Sequence, residues 1–349
     1  MSFKKIVEHC VKHKFLNPNF CQFSLLGDAL QQRVEQEWLN SSVIQNNNCL
    51  YISSESITQL NLKLVDLFCQ ARTLMGSDSS ISLASLAFIK KIQSVDDVKS
   101  VSDLMEALPQ THLNLCTLVH PSHKIDEFTR LQKARLRWWK SYLQQPVLLN
   151  TTSVPVDVEK SPFLEQRIEF SSTALGSEPF EVIEIYKPES FESLQLDDDV
   201  KKSLIVKFQR KSSWPVFITC QMKLELAVWF FLTDAFYVRN KTSVLSLHKS
   251  LAPFAVGIVV EGTSTRATEL EDLRRLMSLD FKLSRIPVLP LSAPWTTAHC
   301  DARGVPYLIC LSDSTLEQGV CGLRSRDTTL QEQVHVGDVV GRLKSFLIR

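Results

Sequence analysis

The sequence predicts a mixed fold of two parts. The first is α+β, an antiparallel-sheet domain with helices over residues 1–240; the second is α/β, a mixed sheet covered by helices over residues 241–349. Three observations carry this. The apolar period changes from helical to alternating beyond a connector at Thr151–Pro162, which holds Pro155, Pro162 and a threonine-serine cluster. Short loops join the strand-like runs that follow, which implies antiparallel pairing. The last hundred or so residues then alternate strand and helix, the pattern of a layered α/β domain.

In chain order, Ile6, Val7, Cys10 and Val11 recur at helical spacing and predict a short opening helix that stops before Asn17-Pro18. Leu26, Leu30, Val34 and Trp38 lie at four-residue steps and predict a second helix over Leu26–Leu39. From Ser56 to Leu108 the pattern is loosely helical with serine-rich joints, which reads as a helical insertion or cap. A strand-like Leu113–Val119 follows. In the helix expected over Ile125–Gln145, Phe128, Leu131, Arg135, Trp138 and Tyr142 share one face, while Arg130, Lys133, Arg137 and Lys140 interleave cations among the aromatic residues. Such cations suit a nucleic-acid or acidic-partner surface. A solvated basic face on a core helix is the better reading, because long cationic side chains commonly lie along apolar surface with their heads in water.

Beyond the connector, Arg167–Phe170, Phe180–Tyr186, Leu204–Arg210 and Val216–Cys220 read as strands, the last two joined by a turn at Lys211-Ser212-Ser213. Lys207, Arg210 and Lys211 then form an exposed basic edge, fitted to guarding the sheet against edge pairing or, as the less favoured reading, to touching DNA. A helix over Lys223–Tyr237 is expected to pack on this sheet, and Arg239–Lys249 reads as a basic linker at the domain boundary. The second part comprises a strand Ala255–Val260, a helix Thr268–Ser278, and a short strand Ile286–Leu289. A short helix or turn at Trp295–Arg303 and a strand Tyr307–Leu311 come next, followed by a hairpin and a closing helix from Val339 to Leu347. The hairpin carries Leu323-Arg324-Ser325-Arg326-Asp327-Thr328-Thr329 between apolar runs, with its turn near Asp327-Thr328. Arg324 and Arg326, two residues apart on a strand, are expected on one face as a fixed cationic patch. Pairing with Asp327 or Glu332 inside the domain is at least as good a use for them.

Composition narrows the function. The 349 residues carry a formal charge of +1, so nucleic-acid binding would have to come from local patches. Nine scattered cysteines without a CxxC pair argue against a disulfide framework or zinc ribbon and point to a reducing compartment. No apolar window approaches the length of a membrane span, so a soluble protein without membrane contact is expected. Only Gly27, Gly76 and Gly176 precede residue 240, and neither GxGxxG nor GxxxxGK[ST] occurs, which removes most support for a phosphate-cradling loop. No HExxH or GxSxG is present, so no catalytic residues, metal or cofactor are expected. The basic start Met1–Val7 leaves an organelle address open.

The layout resembles a class IIa aminoacyl-tRNA synthetase, with a degenerate catalytic-like domain followed by an anticodon-binding-like domain. Leu323–Thr329, Thr315–Gly319, Val244–His248 with Leu251–Pro253, and Arg135–Trp139 look like the accessory subunits of mitochondrial DNA polymerase gamma, of an insect type; Leu25–Gly27 and Glu37-Trp38 are similar as well. This resemblance implies a non-catalytic processivity subunit of the mitochondrial matrix and nucleoid. It would bind the polymerase catalytic subunit and duplex primer-template DNA. Arg324 and Arg326 become candidates for the partner contact, and Lys207, Arg210, Lys211, Arg239 and Lys241 for DNA. A synthetase of this kind holds ATP with a GxGxxxR segment, and Leu224–Tyr237 contains no glycine. The alternatives are a synthetase-like enzyme or a tRNA-binding module. The shortened helical insertion implies a monomer pairing one to one with the catalytic subunit, where vertebrate members are homodimers.

Overall fold

The computed structural model describes residues 3–19, 22–46, 48–52, 61–75, 80–89, 103, 108, 110–157, 159–176, 178–208, 211–262, 265–292 and 294–347. Helices α1 (Phe3–Lys12) and α2 (Leu25–Leu39) bury the apolar positions expected of them, and α2 runs on into a single π-helical turn at Asn40–Ile44. They are held close by Gly27: a Cβ there would stand 2.0 Å from the Phe15 carbonyl oxygen.

The large sheet has seven strands in the order β1-β2-β3-β9-β6-β5-β4, namely β1 Cys49–Ile52, β2 Ile81–Ile89, β3 Gln110–Val119, β9 Val216–Lys223, β6 Glu181–Tyr186, β5 Leu164–Ser171 and β4 Asn150–Val154. All neighbours are antiparallel except β1 and β2. On one face pack α1, α2, α4 (Lys124–Tyr142) and α6 (Leu224–Ala235). Helix α6 is apolar nearly all round, and Trp229, Phe230 and Phe231 are fully buried, each contributing about 1.5–3 kcal/mol of transfer free energy. Trp139 of α4 stacks on Phe231, and Phe180 on Phe230. The opposite face is covered by α3 (Leu62–Met75) and by the segment that ends in α5 (Asp198–Leu204), with Phe68, Phe191 and Phe217 inside. Both faces of the sheet centre are therefore dry.

The expected antiparallel domain and the mixed α/β domain are both present, with corrections to individual elements. The segment Ser56–Leu108 is not uniformly helical: it holds α3 but also the nine-residue strand β2 between β1 and β3. Strand β2 is buried on both faces at most of its described positions, so it lacks the alternation that marks a half-exposed strand. Inside the sheet Ser82 pairs with Thr117 at 2.9 Å, while the Ser85 hydroxyl has no hydrogen-bond partner among the described residues. Of the strand expected over Leu204–Arg210, Leu204 ends α5 and Val206–Phe208 forms β7, with residues 209 and 210 outside the described residues; β7 forms a separate hairpin with β8 (Lys211–Ser213), while β9 pairs with β3 and β6. Arg239–Lys249 is no linker, since β10 (Phe236–Arg239) and β11 (Thr242–Leu245) form a hairpin through Asn240-Lys241, both at positive φ.

The C-terminal sheet runs β12 (Val256–Val260), β13 (Tyr307–Leu311), β14 (Val320–Ser325) and β15 (Gln331–His335), parallel between the first two and antiparallel thereafter. The parallel pair requires a crossover, which is made by α7 (Ala267–Leu283) and α8 (Thr297–Ala302). Ile286–Leu289 contributes only an isolated bridge, Val288 to Val256. Short α9 (Asp313–Gln318) precedes β14, and α10 (Val339–Leu347) closes the chain, burying Val339 and Leu343.

Candidate docking and nucleic-acid surfaces

The Leu323–Thr329 stretch forms the end of β14 and its turn, closed by the Ser325 N–H to the Leu330 carbonyl at 3.0 Å. Its arginines are not a free cationic patch. Arg326 lies beyond the last ladder pair, is 1% exposed, and spends its guanidinium on the molecule itself. Nη1 donates to the Gly304 carbonyl and Nη2 to the Leu247 carbonyl, each at 2.8 Å, and Nε donates to Asp327 Oδ1 at 2.8 Å. Asp327 also accepts from the Ser246 hydroxyl at 2.9 Å. Gly304 sits at φ +76°, with Leu247 close against it, so the turn that presents this carbonyl favours glycine.

Arg324 is fixed just as firmly. Its Nη1 and Nη2 meet the two oxygens of Asp301 at 2.9 and 3.0 Å, a bidentate pair in which Asp301 is nearly buried. The same carboxylate takes Arg239 Nη2 at 2.6 Å, and Arg239 Nη1 donates to the Arg326 carbonyl at 2.8 Å. Three of the proposed contact residues thus converge on one internal lock that ties the β10–β11 hairpin, α8 and the β14 turn together. Of the two partners offered by sequence, Asp327 does pair with Arg326, whereas Glu332 bonds Arg342 on α10.

Histidines extend the lock. His9 Nε2 meets the Ala302 carbonyl at 2.9 Å, which can only accept, so the proton resides there; Nδ1 then accepts from the Ser243 hydroxyl at 3.0 Å. Burial holds His9 down to about 4, and His13, whose ring lies 4.5 Å away, down to about 3 through burial and then the neighbouring His9 and Arg303.

The other candidates are scattered. Lys207 and Lys211 fall on the β7–β8 hairpin, with Lys211 opposite Phe208, and Arg210 lies outside the described residues. Lys241 is exposed in the β10–β11 turn. On α4, Arg130, Lys133, Arg137 and Lys140 are exposed, as a solvated face requires, but Arg135 is buried against Glu181 at 2.5 Å. Among the described residues no group of His, Cys, Asp or Glu is arranged to hold a metal ion, and no helix is long and apolar enough to cross a membrane.

One surface has no counterpart among the residues singled out from sequence. Helix α7 buries Leu270, Met277 and Phe281, yet Leu276, Leu279 and Leu283 stand 61%, 55% and 83% exposed. Their spacing of three and four residues puts them on one stripe. The stripe is visible as a second apolar period in the sequence, but only the inward-facing set is needed to identify the helix.

Comparison with known proteins agrees with this architecture. Residues 292–346 match the anticodon binding domain family. Over 244 residues the chain is 25% identical to the Drosophila melanogaster "DNA polymerase subunit gamma-2, mitochondrial", covering 66% of this chain and 65% of that protein. It is 28% identical over 233 residues to the Xenopus laevis protein of that name, and 25% identical over 232 residues to mouse "DNA polymerase subunit gamma-2". The matched stretch covers 62% of this chain in both cases and spans about half of each vertebrate relative, 48%. The chain resembles the accessory subunits of mitochondrial DNA polymerase gamma, on a mixed α/β fold that ends in an anticodon-binding domain.

Proposed function

We propose that this protein is a non-catalytic accessory subunit of a mitochondrial replicative DNA polymerase, docking the catalytic subunit through its C-terminal domain and acting as a processivity factor. The observation that carries the docking step is the leucine stripe of α7, an apolar surface that the protein's own core leaves open. Covering three leucines that are half or more exposed would contribute roughly 3–6 kcal/mol at about 1.5–3 kcal/mol per fully buried leucine. That is adequate for a specific contact once a polar rim is added. The likeness to proteins named as polymerase subunits supplies the identity of the partner.

A non-catalytic role is supported by two features. The glycine-free segment Leu224–Tyr237 builds helix α6, most of which is buried, and aromatic side chains fill both faces of the central sheet. Lys207, Lys211 and Lys241, together with Arg210, are the cations proposed for duplex DNA. Arg239 is excluded because Asp301 already holds it. Arg324 and Arg326 serve the partner indirectly, by fixing the domain that carries α7.

Copurification with a mitochondrial polymerase catalytic subunit, with primer extension measured with and without the protein, tests this reading. Longer products per binding event are expected with the intact chain. The double substitution Leu276→Asp, Leu283→Asp should abolish both copurification and the lengthening while leaving the circular dichroism unchanged. Full copurification of that variant would remove α7 from the interface, and no copurification of the parent would remove the function.

A further inference from the structure

We propose that β15, the outer strand of the C-terminal sheet, takes an extended segment of the polymerase catalytic subunit as an added strand. This rests on the polymerase reading above and adds a main-chain contact to the apolar one at α7. The register of the β14–β15 ladder decides which main-chain groups face outward. The Val336 N–H donates to the Gly319 carbonyl at 2.9 Å, and the Ser325 N–H to the Leu330 carbonyl at 3.0 Å. Hydrogen-bonded pairs alternate along an antiparallel ladder, so between these two it is Cys321 with Val334 and Leu323 with Glu332 that exchange bonds. The N–H and C=O of Gln331 and Gln333, and the N–H of His335, therefore point away from β14. These three residues are exposed, and no described group meets those main-chain atoms.

The opposite edge of the same sheet is not bare. There the chain covers β12 itself: the Ala255 N–H donates to the Pro287 carbonyl at 2.8 Å, and the Leu289 N–H to the Val256 carbonyl at 2.9 Å. Edge strands are commonly guarded by lysine, proline or a bulge. Strand β15 contains neither lysine nor proline, and its ladder to β14 runs without a shift in register. Its one acid, Glu332, is drawn back onto Arg342 of α10 at 3.0 Å. An edge left open in this way is a template for another extended chain.

The chemistry of the edge selects its occupant. Donor and acceptor recur at every second residue, about 6.8 Å apart along the strand. Phosphate oxygens are acceptors alone and would leave the carbonyls of Gln331 and Gln333 unmet, whereas an extended peptide supplies both kinds of group. Alternate side chains of the added segment would enter the groove between β15 and α10, a space of about 540 Å³ walled by Glu332, Val334, Asp338, Gly341, Arg342 and Ser345. Gly341 keeps that groove open, since nothing lies within 4 Å of where its Cβ would stand. The charges of Glu332 and Arg342 cancel, but Asp338 is exposed and no described cation pairs with it. The segment is therefore one that brings a lysine or arginine to Asp338. Helices α7 and α10 share one core cluster and hence one face of the sheet, so the groove and the leucine stripe open on the same side of the domain.

The test captures the catalytic subunit on the immobilised full chain and follows main-chain hydrogen exchange, residue by residue, in the free and the captured protein. In the free protein the amides of Gln331, Gln333 and His335 should exchange fast and those of Glu332 and Val334 slowly. Capture should slow the first three, an alternation that side-chain packing alone does not produce. Gln333→Pro removes one outward N–H and leaves the β14 ladder intact, the position at which an edge tolerates proline. It should weaken capture by about five-fold or more, the worth of a main-chain hydrogen bond, with circular dichroism unchanged. Gln333→Ala keeps the N–H and should bind as the parent does, while Asp338→Lys should weaken capture. Parental capture by Gln333→Pro or Asp338→Lys, an equal loss in Gln333→Ala, or no slowing of the outward amides would overturn the added strand and leave the polymerase reading standing. No capture by the parent would end both. A dimer of the chain alone that Gln333→Pro dissociates would give this edge to a second copy and overturn the proposal.

Discussion

Replacing Arg326 by methionine should unfold the C-terminal domain well before it disturbs any surface. The guanidinium satisfies two backbone carbonyls, Gly304 and Leu247, both belonging to buried residues, and one carboxylate, Asp327, which is half exposed. Methionine preserves most of the aliphatic volume, so the change is chiefly in hydrogen bonding. Each carbonyl left without a donor costs about 1–3 kcal/mol, and the exposed partner Asp327 adds no more than about 1 kcal/mol. The sum is about 2–7 kcal/mol, centred near 4, a large share of the roughly 5–15 kcal/mol that stabilises an ordinary domain. Urea unfolding followed by circular dichroism reads this as a lowered midpoint at an unchanged slope. Arg342→Met is the control: its pair with Glu332 is about half exposed on both sides, so little stability should be lost. If Arg326→Met shifts the midpoint no further than Arg342→Met, the internal lock is not what holds this hairpin, and Arg326 becomes available again for a partner.

Five more outcomes are expected. Asp301→Asn strips the carboxylate from two guanidiniums and should destabilise by about 3 kcal/mol, less than a fully buried pair because Arg239 stays partly solvated; equal urea midpoints would argue against the lock. His9 and His13 are held below the ordinary histidine range, so the unfolded chain binds their protons first: stability should fall as pH drops from about 6.5 through about 4, and a flat profile in that window would show that these rings are not closed in. Glu225 acts in the opposite sense. Burial raises it to about 7, so its contribution is full below about 4.5 and lost as pH rises through 7; Glu225→Gln, which keeps an acceptor for the Thr111 N–H, should remove that loss, seen as a flatter stability profile between pH 5 and 8. Alanine at Lys207, Lys211 and Lys241 together should weaken duplex DNA binding without sequence preference. The slope of log affinity against log salt should become shallower by up to about 0.9 for each phosphate no longer neutralised, whereas an unchanged slope would remove these lysines from the DNA path. Light scattering should find a monomer, and a stable dimer at low micromolar concentration would contradict the one-to-one assembly.

Helices with one wet side are legible in the sequence: α2 shows Leu26, Leu30, Val34 and Trp38 on one side because its other side faces water, and α10 likewise, whereas β13 is legible as a short unbroken apolar run buried on both faces. Strand β2 is not, because burial on both faces erases the period, and Ser82 finds its hydrogen-bond partner only once β3 is alongside. The β10–β11 hairpin was hidden for another reason. Its turn uses Asn240 and Lys241 at positive φ, and lysine gives no turn signal of its own. At the candidate surfaces, sequence locates the arginines of the Leu323–Thr329 stretch but not their burial. Period two places Arg324 on a face but says nothing of Asp301, twenty-three residues earlier, which takes its charge.

Such a lock explains why the Leu323–Thr329 stretch identifies the fold without marking an interface. A surface cation that meets phosphate or an acidic partner can be replaced by another cation nearby, because solvent tolerates many geometries. Arg326 has no such freedom. Its acceptors come from three separate places, Leu247 after the β10–β11 hairpin, Gly304 after α8 and its own neighbour Asp327, all at 2.8 Å. Lysine, with a single ammonium on a flexible stem, cannot reach these acceptors with a planar fork. Residue identity is therefore set by internal geometry, and the motif's specificity is that of a joint. Interface residues should be sought where the molecule has left its own groups uncovered, as at the leucines of α7, which stand half or more exposed.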